Sequence, residues 1–308
     1  MRIIFAGSPA IAVPCLEALA SDKSINLIGV LTNPDTPKGR HGTPQSTEVG
    51  EAAEKLGVSI LKPVKLDAAA REIIAALKPD MLVTFAYGKI FGPKFLALFP
   101  LGGINIHPSL LPKYRGPTPI QASILNRDKI TGISIQKIAL EIDSGNILAA
   151  EQMQLDGTET TASLSLIAAV KAAEMLPLAL GKIAAGEQGT PQNHNQASYC
   201  RLINKDDGII DWGLSAAEID AGIRAYNPWP LYRTIHNGKT LFILKAGVLC
   251  GGDGKAGQVL GINNQYGIMI QAGNGILAVS ELQYQGKKAL YWKDFLNGAR
   301  DFIGSNLT

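Results

Sequence analysis

Asn105-Ile106-His107-Pro108-Ser109-Leu110-Leu111-Pro112 is the stretch on which the reading of this chain turns. It follows an apolar run and the pair Gly102-Gly103. Asn105 and His107 alternate with Ile104 and Ile106, and a period of two suits the end of a strand with both polar side chains on one face. Pro108 biases His107 toward an extended backbone, and Pro112 does the same to Leu111. Ser109-Leu110-Leu111-Pro112 is therefore expected to be a stiff, apolar loop. An amide and an imidazole then stand side by side at a strand edge. Such a pair can hold a developing oxyanion, and the imidazole can also move a proton. On spacing alone, a satisfied polar pair in a turn accounts for them equally well.

Upstream, Ile3 to Ala6 reads as a buried strand, and Gly7-Ser8-Pro9 turns it into a helix that ends near Ala20. This opening lacks the GxGxxG glycines, which disfavours dinucleotide binding. Ile25 to Leu31 is a second strand. Residues 33–44 are too dense in Pro and Gly for regular structure and are expected to form a long surface loop. A helix over Glu48 to Leu56, a strand over Val58 to Leu61 and a helix over Asp67 to Leu77, with Asp67 as its N-cap, come next. Met81 to Ala86 is a buried strand that ends in Tyr87-Gly88. Alternating strands and helices indicate an α/β domain with a Rossmann-like parallel sheet. Such sheets take ligands at the carboxyl ends of their strands, where Asn105 and His107 fall.

Downstream, Pro117 to Asn126 reads as a helix, Gly132 to Ile138 as an alternating strand and Ile147 to Gln154 as another. Asp143-Ser144-Gly145 is the turn between those strands, where Asp ordinarily caps local backbone. If the fold brings Asp143 to His107, its charge favours the imidazolium and orients the ring. A long helix over Thr160 to Gly181 closes the first domain, taken as residues 1–188. The segment from Gly186 to Ala197 is polar and Gly/Pro-containing, so 189–205 is expected to be a linker, with His194 solvated. After it, Ala216 to Ala225 is a helix followed by short strands at 240–244, 257–260, 267–271 and 275–279. That pattern suggests a small OB-like β-barrel over residues 206–308. Lys287-Lys288 and Lys293 make its one visible basic cluster, as well explained by a solvated face. Trp212, Trp229 and Trp292 are expected as core or interdomain anchors.

The chain has 308 residues and a formal charge of +3, so it can build two cores, and its composition does not by itself announce a nucleic-acid partner. Its three cysteines are far apart and make no metal or disulfide pattern. No leader pattern and no bilayer-length apolar run is visible. A monomeric cytoplasmic protein away from the membrane is expected.

Asn105-x-His107-Pro-Ser-Leu-Leu-Pro-Lys-Tyr-Arg-Gly116 followed by Asp143-Ser-Gly145 resembles the folate-dependent formyltransferase family. The resemblance extends from Phe5-Ala6-Gly7-Ser8-Pro9 through Thr32-Asn33-Pro34-Asp35 and Pro119-Ile120-Gln121 to Asp211-Trp212 and residues 224–230. Asn227-Pro228-Trp229-Pro230 is similar to the tRNA-modifying branch. The resemblance implies formyl transfer from 10-formyltetrahydrofolate, a co-substrate, to the α-amino group of methionine on initiator tRNA, in support of translation initiation. It implies Asn105, His107 and Asp143 as catalytic residues, with no metal. It implies Ser109, Leu110, Leu111 and Pro112 as the folate-binding segment, joined by Tyr87 and Gly88 after their strand. The loop carrying Lys38 and Arg40 matches a basic loop that reaches the tRNA acceptor stem, although His41-Gly42-Thr43 leaves it less basic than the family pattern. Without the resemblance, Lys38 and Arg40 read as a solvated loop and Tyr87 as an ordinary loop aromatic. A nucleotide-sugar N-formyltransferase shares the same trio. A glycinamide ribonucleotide formyltransferase typically lacks the second domain. An RNA-binding protein on a degenerate formyltransferase fold is the non-enzyme alternative, and the intact trio argues against it.

Overall fold

In this computed structural model, residues 1–38 and 42–308 are described; Arg40 lies outside the described residues, and of Lys38 only the backbone is described. The chain runs β1 (Arg2–Gly7), α1 (Val13–Ser21), β2 (Asn26–Leu31), β3 (Thr36–Lys38), β4 (Thr43–Gln45), α2 (Glu48–Lys55), β5 (Ile60–Leu61), α3 (Ala68–Ala76), β6 (Met81–Phe85), α4 (Pro93–Leu96) and β7 (Gly103–His107). It continues with α5 (Pro119–Leu125), β8 (Ile130–Lys137), β9 (Ile147–Gln154), α6 (Thr161–Ala184) and α7 (Ala216–Ala225). The last part holds β10 (Tyr232–His236), β11 (Lys239–Leu249), β12 (Val259–Asn263), β13 (Gly267–Gln271), β14 (Ile276–Tyr284), β15 (Leu290–Tyr291) and α8 (Trp292–Gly298).

Two compact units result. The first comprises Met1–Pro119, Ile130–Gln154 and Ser165–Arg201, and the second Ile120–Lys129, Leu155–Leu164 and Leu202–Thr308. The first therefore runs past the expected boundary at 188, and two short pieces from before that boundary group with the second. One of those pieces is held there by Thr161 Oγ1 donating to the Ala225 carbonyl at 2.6 Å and Arg224 Nη1 donating to the Glu159 carbonyl at 2.9 Å.

The first unit is built on a seven-stranded sheet in the order β5-β2-β1-β6-β7-β8-β9. The first five strands are parallel. The sheet is nonetheless mixed, because β8 and β9 run antiparallel to their neighbours. The parallel part is the one expected from the alternating strands and helices up to Ala86, and the short turn at Asp143-Ser144-Gly145 joins the antiparallel pair β8 and β9. β1 and β6 are buried almost end to end, as strands covered on both faces must be. Helix α2 starts where the Thr47 side chain accepts from Gly50 N–H, and α3 where Asp67 accepts from Ala70 N–H. Helix α6 is long and apolar enough to cross a membrane, but Ala168, Ala172, Met175, Ala179 and Ile183 are buried at helical spacing in this globular unit.

The expected irregular loop at 33–44 contains a short antiparallel ribbon of β3 and β4. Its register sets Pro37 opposite Pro44, flanked by the Thr36–Gln45 and Lys38–Thr43 pairs. Facing prolines at a pair that exchanges no ladder bonds cost the ribbon nothing, which is why the Pro density misled.

In the second unit, an antiparallel sheet runs β10-β11-β14-β13-β12, with β15 on β14. The C-terminal tail links its two end strands. Gly304 N–H donates to the Val259 carbonyl, Val259 N–H to that of Ser305, and Ile235 N–H to that of Thr308. Strand β12 is thereby joined to β10, as a barrel requires. The core gathers Ile219, Ile223, Leu241, Ile243, Ile268, Leu277 and Leu282 around Trp212 and Trp292. Trp229 departs from the expected anchor role: it is 57% exposed.

Candidate active site

β7 places Asn105 and His107 on the same side of the sheet, two residues apart, as the alternation predicted. Its antiparallel neighbour β8 sets Gln136 opposite Asn105 and Ser134 opposite His107. The polar face of β7 is thus continued by a polar face of β8. Gly132, Ser134 and Gln136 alternate with Ile133 and Ile135, so the same alternation that marks β8 as a strand also marks its polar face.

The β8–β9 connection returns Asp143 to this face. Asp143 has a φ of +52°, a left-handed conformation uncommon outside glycine. Its Oδ1 accepts from Asn105 Nδ2 at 3.1 Å and from Gln136 Nε2 at 2.9 Å. Its Oδ2 accepts from the Gly116 amide at 2.9 Å and lies 3.5 Å from His107 Nδ1. The three expected catalytic side chains are therefore brought together, with Gln136 and Gly116 beside them. Gly145, two residues on, is needed for its lack of a Cβ, which would stand 1.8 Å from the Lys137 carbonyl oxygen.

His107 is 4% exposed. Its Nε2 lies 2.8 Å from the Tyr114 carbonyl, which can only accept, so the proton sits on Nε2 and the neutral ring turns its Nδ1 lone pair toward Asp143. Burial pushes the imidazole below its ordinary pKa, while the Asp143 charge and the Tyr114 carbonyl pull it back up. Burial wins, so the ring is neutral near pH 7. The carboxylate favours the imidazolium, as expected of a charge brought to His107, but desolvation of the charged ring outweighs it. It also changes how the donors are shared. Nε2–H is committed to Tyr114, whereas Asn105 Nδ2 spends one proton on Asp143 and has a second.

The loop after β7 is held as stiffly as its prolines suggested. Ser109 N–H donates to the His107 carbonyl at 2.9 Å, and Ser109 Oγ donates to that of Lys113 at 2.5 Å. Ser134 Oγ accepts from Leu111 N–H at 3.0 Å and donates to the Ser109 carbonyl at 2.8 Å. Ser109 and Leu111 are buried by this arrangement, while Leu110 and Pro112 are partly exposed. Tyr87 is buried in the core with Ile4, Leu31 and Phe95, its ring stacked on Phe91, and Gly88 is exposed. The Tyr87 side chain therefore belongs to the core below the end of β6, and only the backbone that follows it reaches the surface, at Gly88. The Tyr87 carbonyl accepts from Asn33 Nδ2 at 3.0 Å, tying the segment after β6 to the base of the β3–β4 ribbon. Among the described residues, no group of three His, Cys, Asp or Glu side chains is arranged to hold a metal ion.

A sheet that carries an Asn-His pair at the end of a central parallel strand, with a carboxylate folded onto it, defines a class. The chain belongs to the formyltransferase family: residues 1–180 match the family's formyl transferase domain, and residues 202–300 match its C-terminal domain. The methionyl-tRNA formyltransferase of Treponema denticola is 47% identical over 318 residues, covering 98% of this chain and 98% of that protein. Among solved structures, an N-formyltransferase from Helicobacter canadensis in complex with folinic acid and dTDP-3-aminofucose superposes with a TM-score of 0.67 at 20% identity, over 91% of this chain and 99% of that one. HypX from Aquifex aeolicus in complex with tetrahydrofolic acid gives 0.64 at 16%, over 98% of this chain and 48% of that chain. These two likenesses concern the fold.

Proposed function

We propose that this enzyme transfers the formyl group of 10-formyltetrahydrofolate to the α-amino group of methionine on initiator tRNA, in the cytoplasm and as a monomer. The observation that carries this reading is the convergence of Asn105 and His107 on the Asp143 carboxylate, in a chain that is 47% identical from end to end to a methionyl-tRNA formyltransferase.

The reaction needs little from the protein beyond charge and position. A free α-amino group has a pKa of about 7.7–8.0, so a usable fraction is neutral near pH 7. The amine nitrogen bonds to the formyl carbon, the carbonyl oxygen becomes an oxyanion, and the bond to the folate nitrogen then breaks. The proton lost by the amine replaces the formyl group on the leaving nitrogen. Asn105 is assigned the oxyanion, through the second proton of its amide. His107, neutral and with Nδ1 free of a proton, is assigned the transfer, and Asp143 stabilises the imidazolium formed on the way. Ser109 to Pro112 and the backbone at Tyr87-Gly88 flank this face and are proposed to hold the folate. Lys38, Arg40 and the second unit are proposed to hold the tRNA phosphates.

The test is transfer of labelled formyl from 10-formyltetrahydrofolate, with methionyl initiator tRNA and an amino-sugar nucleotide offered side by side. Label on the tRNA alone is expected. Label on the sugar alone keeps the trio and overturns the acceptor, and label on neither overturns the enzyme reading.

A further inference from the structure

Residues 186–197 read as a polar linker, yet Gln192 within them is only 6% exposed. Its Oε1 lies 3.2 Å from Arg115 Nε and 2.7 Å from Arg115 Nη2. Its Nε2 lies 2.9 Å from the Asp143 carbonyl, 2.7 Å from that of Gly145 and 3.1 Å from Gln136 Oε1. Chemistry leaves this amide one orientation. A guanidinium only donates and a backbone carbonyl only accepts, so oxygen faces Arg115 and nitrogen faces the Asp143 turn. That choice propagates. Gln136 must present its oxygen to Gln192, which turns its Nε2 toward Asp143 Oδ1.

We propose that Gln192 is a positioning residue for the formyl-transfer site: it holds the Asp143 turn and, by orienting Gln136, aims a donor at the Asp143 carboxylate. The inference rests on Asp143 being the site carboxylate. Two features show why such a device is needed here. Asp143 is held in a left-handed conformation, which persists only where surrounding contacts over-determine it. Arg115 is 1% exposed, and Glu141, 4.0 Å away and itself 65% exposed, forms a weak ion pair with it. The Gln192 oxygen is therefore a main partner of a buried cation, supported by Tyr199 Oη at 3.3 Å and His194 Nδ1 at 3.3 Å from the guanidinium. One amide joins the loop after β7 to the turn after β8, and it comes from a segment that follows α6.

An alanine here strands a buried guanidinium and endangers folding. Gln192→Glu avoids that, because the carboxylate still accepts from Arg115. It lacks the donor, however, and sets oxygen against the Asp143 and Gly145 carbonyls. It also attracts the Gln136 amide nitrogen, which turns the Gln136 oxygen onto Asp143. The expected result is a kcat per folded enzyme lowered about 10–100-fold, with the folate KM close to wild type; the oxygen set against the two carbonyls also lowers the thermal midpoint, so rates are compared well below the midpoint of each variant. A second variant, Gln136→Met, removes the donor directly. If Gln192 acts through Gln136, the double variant loses no more than the worse single one, a non-additivity that independent structural damage does not produce. The pH profile supplies a third readout. The Asp143 charge acts on the Cys200 thiol, Arg115 with Glu141 and His194 stands on the far side of the Gln192 amide, and a new carboxylate at 192 moves the acidic limb of kcat/KM upward. Wild-type kcat in Gln192→Glu, additive losses in the double variant, or a rate loss that tracks lost folded fraction with an unmoved acidic limb each overturn the proposal. A wild-type enzyme that transfers no formyl group overturns the function itself, and so is a distinct result.

Discussion

Asp143→Asn keeps the shape of the side chain and removes its charge. The carboxylate accepts from Asn105, Gln136 and Gly116 and lies 3.5 Å from His107 Nδ1. An amide has one accepting oxygen. Placed at Oδ1, that oxygen satisfies two donors. The nitrogen then faces His107 Nδ1, to which it can donate, and the Gly116 N–H, which it cannot satisfy. One stranded buried donor costs about 1–3 kcal/mol of stability. The effect on turnover is larger. The imidazolium formed during proton transfer loses its counter-charge, worth at most about 5 kcal/mol at 3.5 Å with an effective dielectric constant near 20. Loss of a single preorganised transition-state partner typically costs about 2.7–4 kcal/mol. At about 1.4 kcal/mol per factor of ten, kcat/KM is expected to fall about a hundred- to a thousandfold. The assay is formyl transfer to methionyl initiator tRNA, with folate affinity measured separately by fluorescence. The residual activity is also expected to keep its acidic limb at lower pH than wild type, because Asp143 raises the imidazole pKa and its removal leaves only the Tyr114 carbonyl to oppose burial. A variant within a few-fold of wild type, or a loss accounted for entirely by weaker folate binding, refutes the role given to Asp143.

The lowered pKa of His107 also makes stability depend on pH. The unfolded ring takes up a proton near its ordinary value of about 6.5, before the buried ring does. The contribution to stability is therefore fully present above that pH and lost progressively as pH falls below it toward the lower value of the buried ring. His107→Gln should show a shallower fall in thermal midpoint between about pH 7.5 and about pH 5.5, and an unchanged slope contradicts the buried neutral ring. Gly145→Ala drives a methyl against the Lys137 carbonyl and should cost about 1–3 kcal/mol in urea unfolding while lowering kcat, because the same turn carries Asp143. Deleting residues 304–308 removes the bonds that link β12 to β10, together with Leu307, which is 3% exposed. A loss on the order of 5 kcal/mol is expected, seen as early unfolding followed by tryptophan fluorescence, since Trp212 and Trp292 lie in that core. A full-length midpoint in the truncated chain would mean that the sheet does not depend on this closure.

What could be read from the sequence was local. Pro108 and the Ile-Asn-Ile-His alternation depend on neighbouring residues, so the shared face of Asn105 and His107 was visible before any fold was known. The contact with Asp143 was not, because it depends on a connection folding back across the sheet, and family resemblance alone brought the two stretches together. Gln192 marks the opposite limit. A Gln in a polar, Gly- and Pro-containing segment has the same composition whether it is solvated or buried. What separates the cases is the presence of Arg115, a cation that burial forces to find an acceptor, at the far side of the same amide. The same argument explains why the trio was legible and its support was not. A catalytic group must have a particular chemistry, which limits the residue types that can serve and leaves a motif. A supporting group has only to present a donor or an acceptor at the right point. Ser134, Gln136 and Gln192 do so from three positions with no common pattern, and each becomes interpretable only when its partners' one-way chemistry is known. Sequence patterns for sites of this kind should therefore find where a reaction happens more readily than what keeps its geometry. The second is the part in which a silent-looking polar substitution can remove activity while leaving the motif intact.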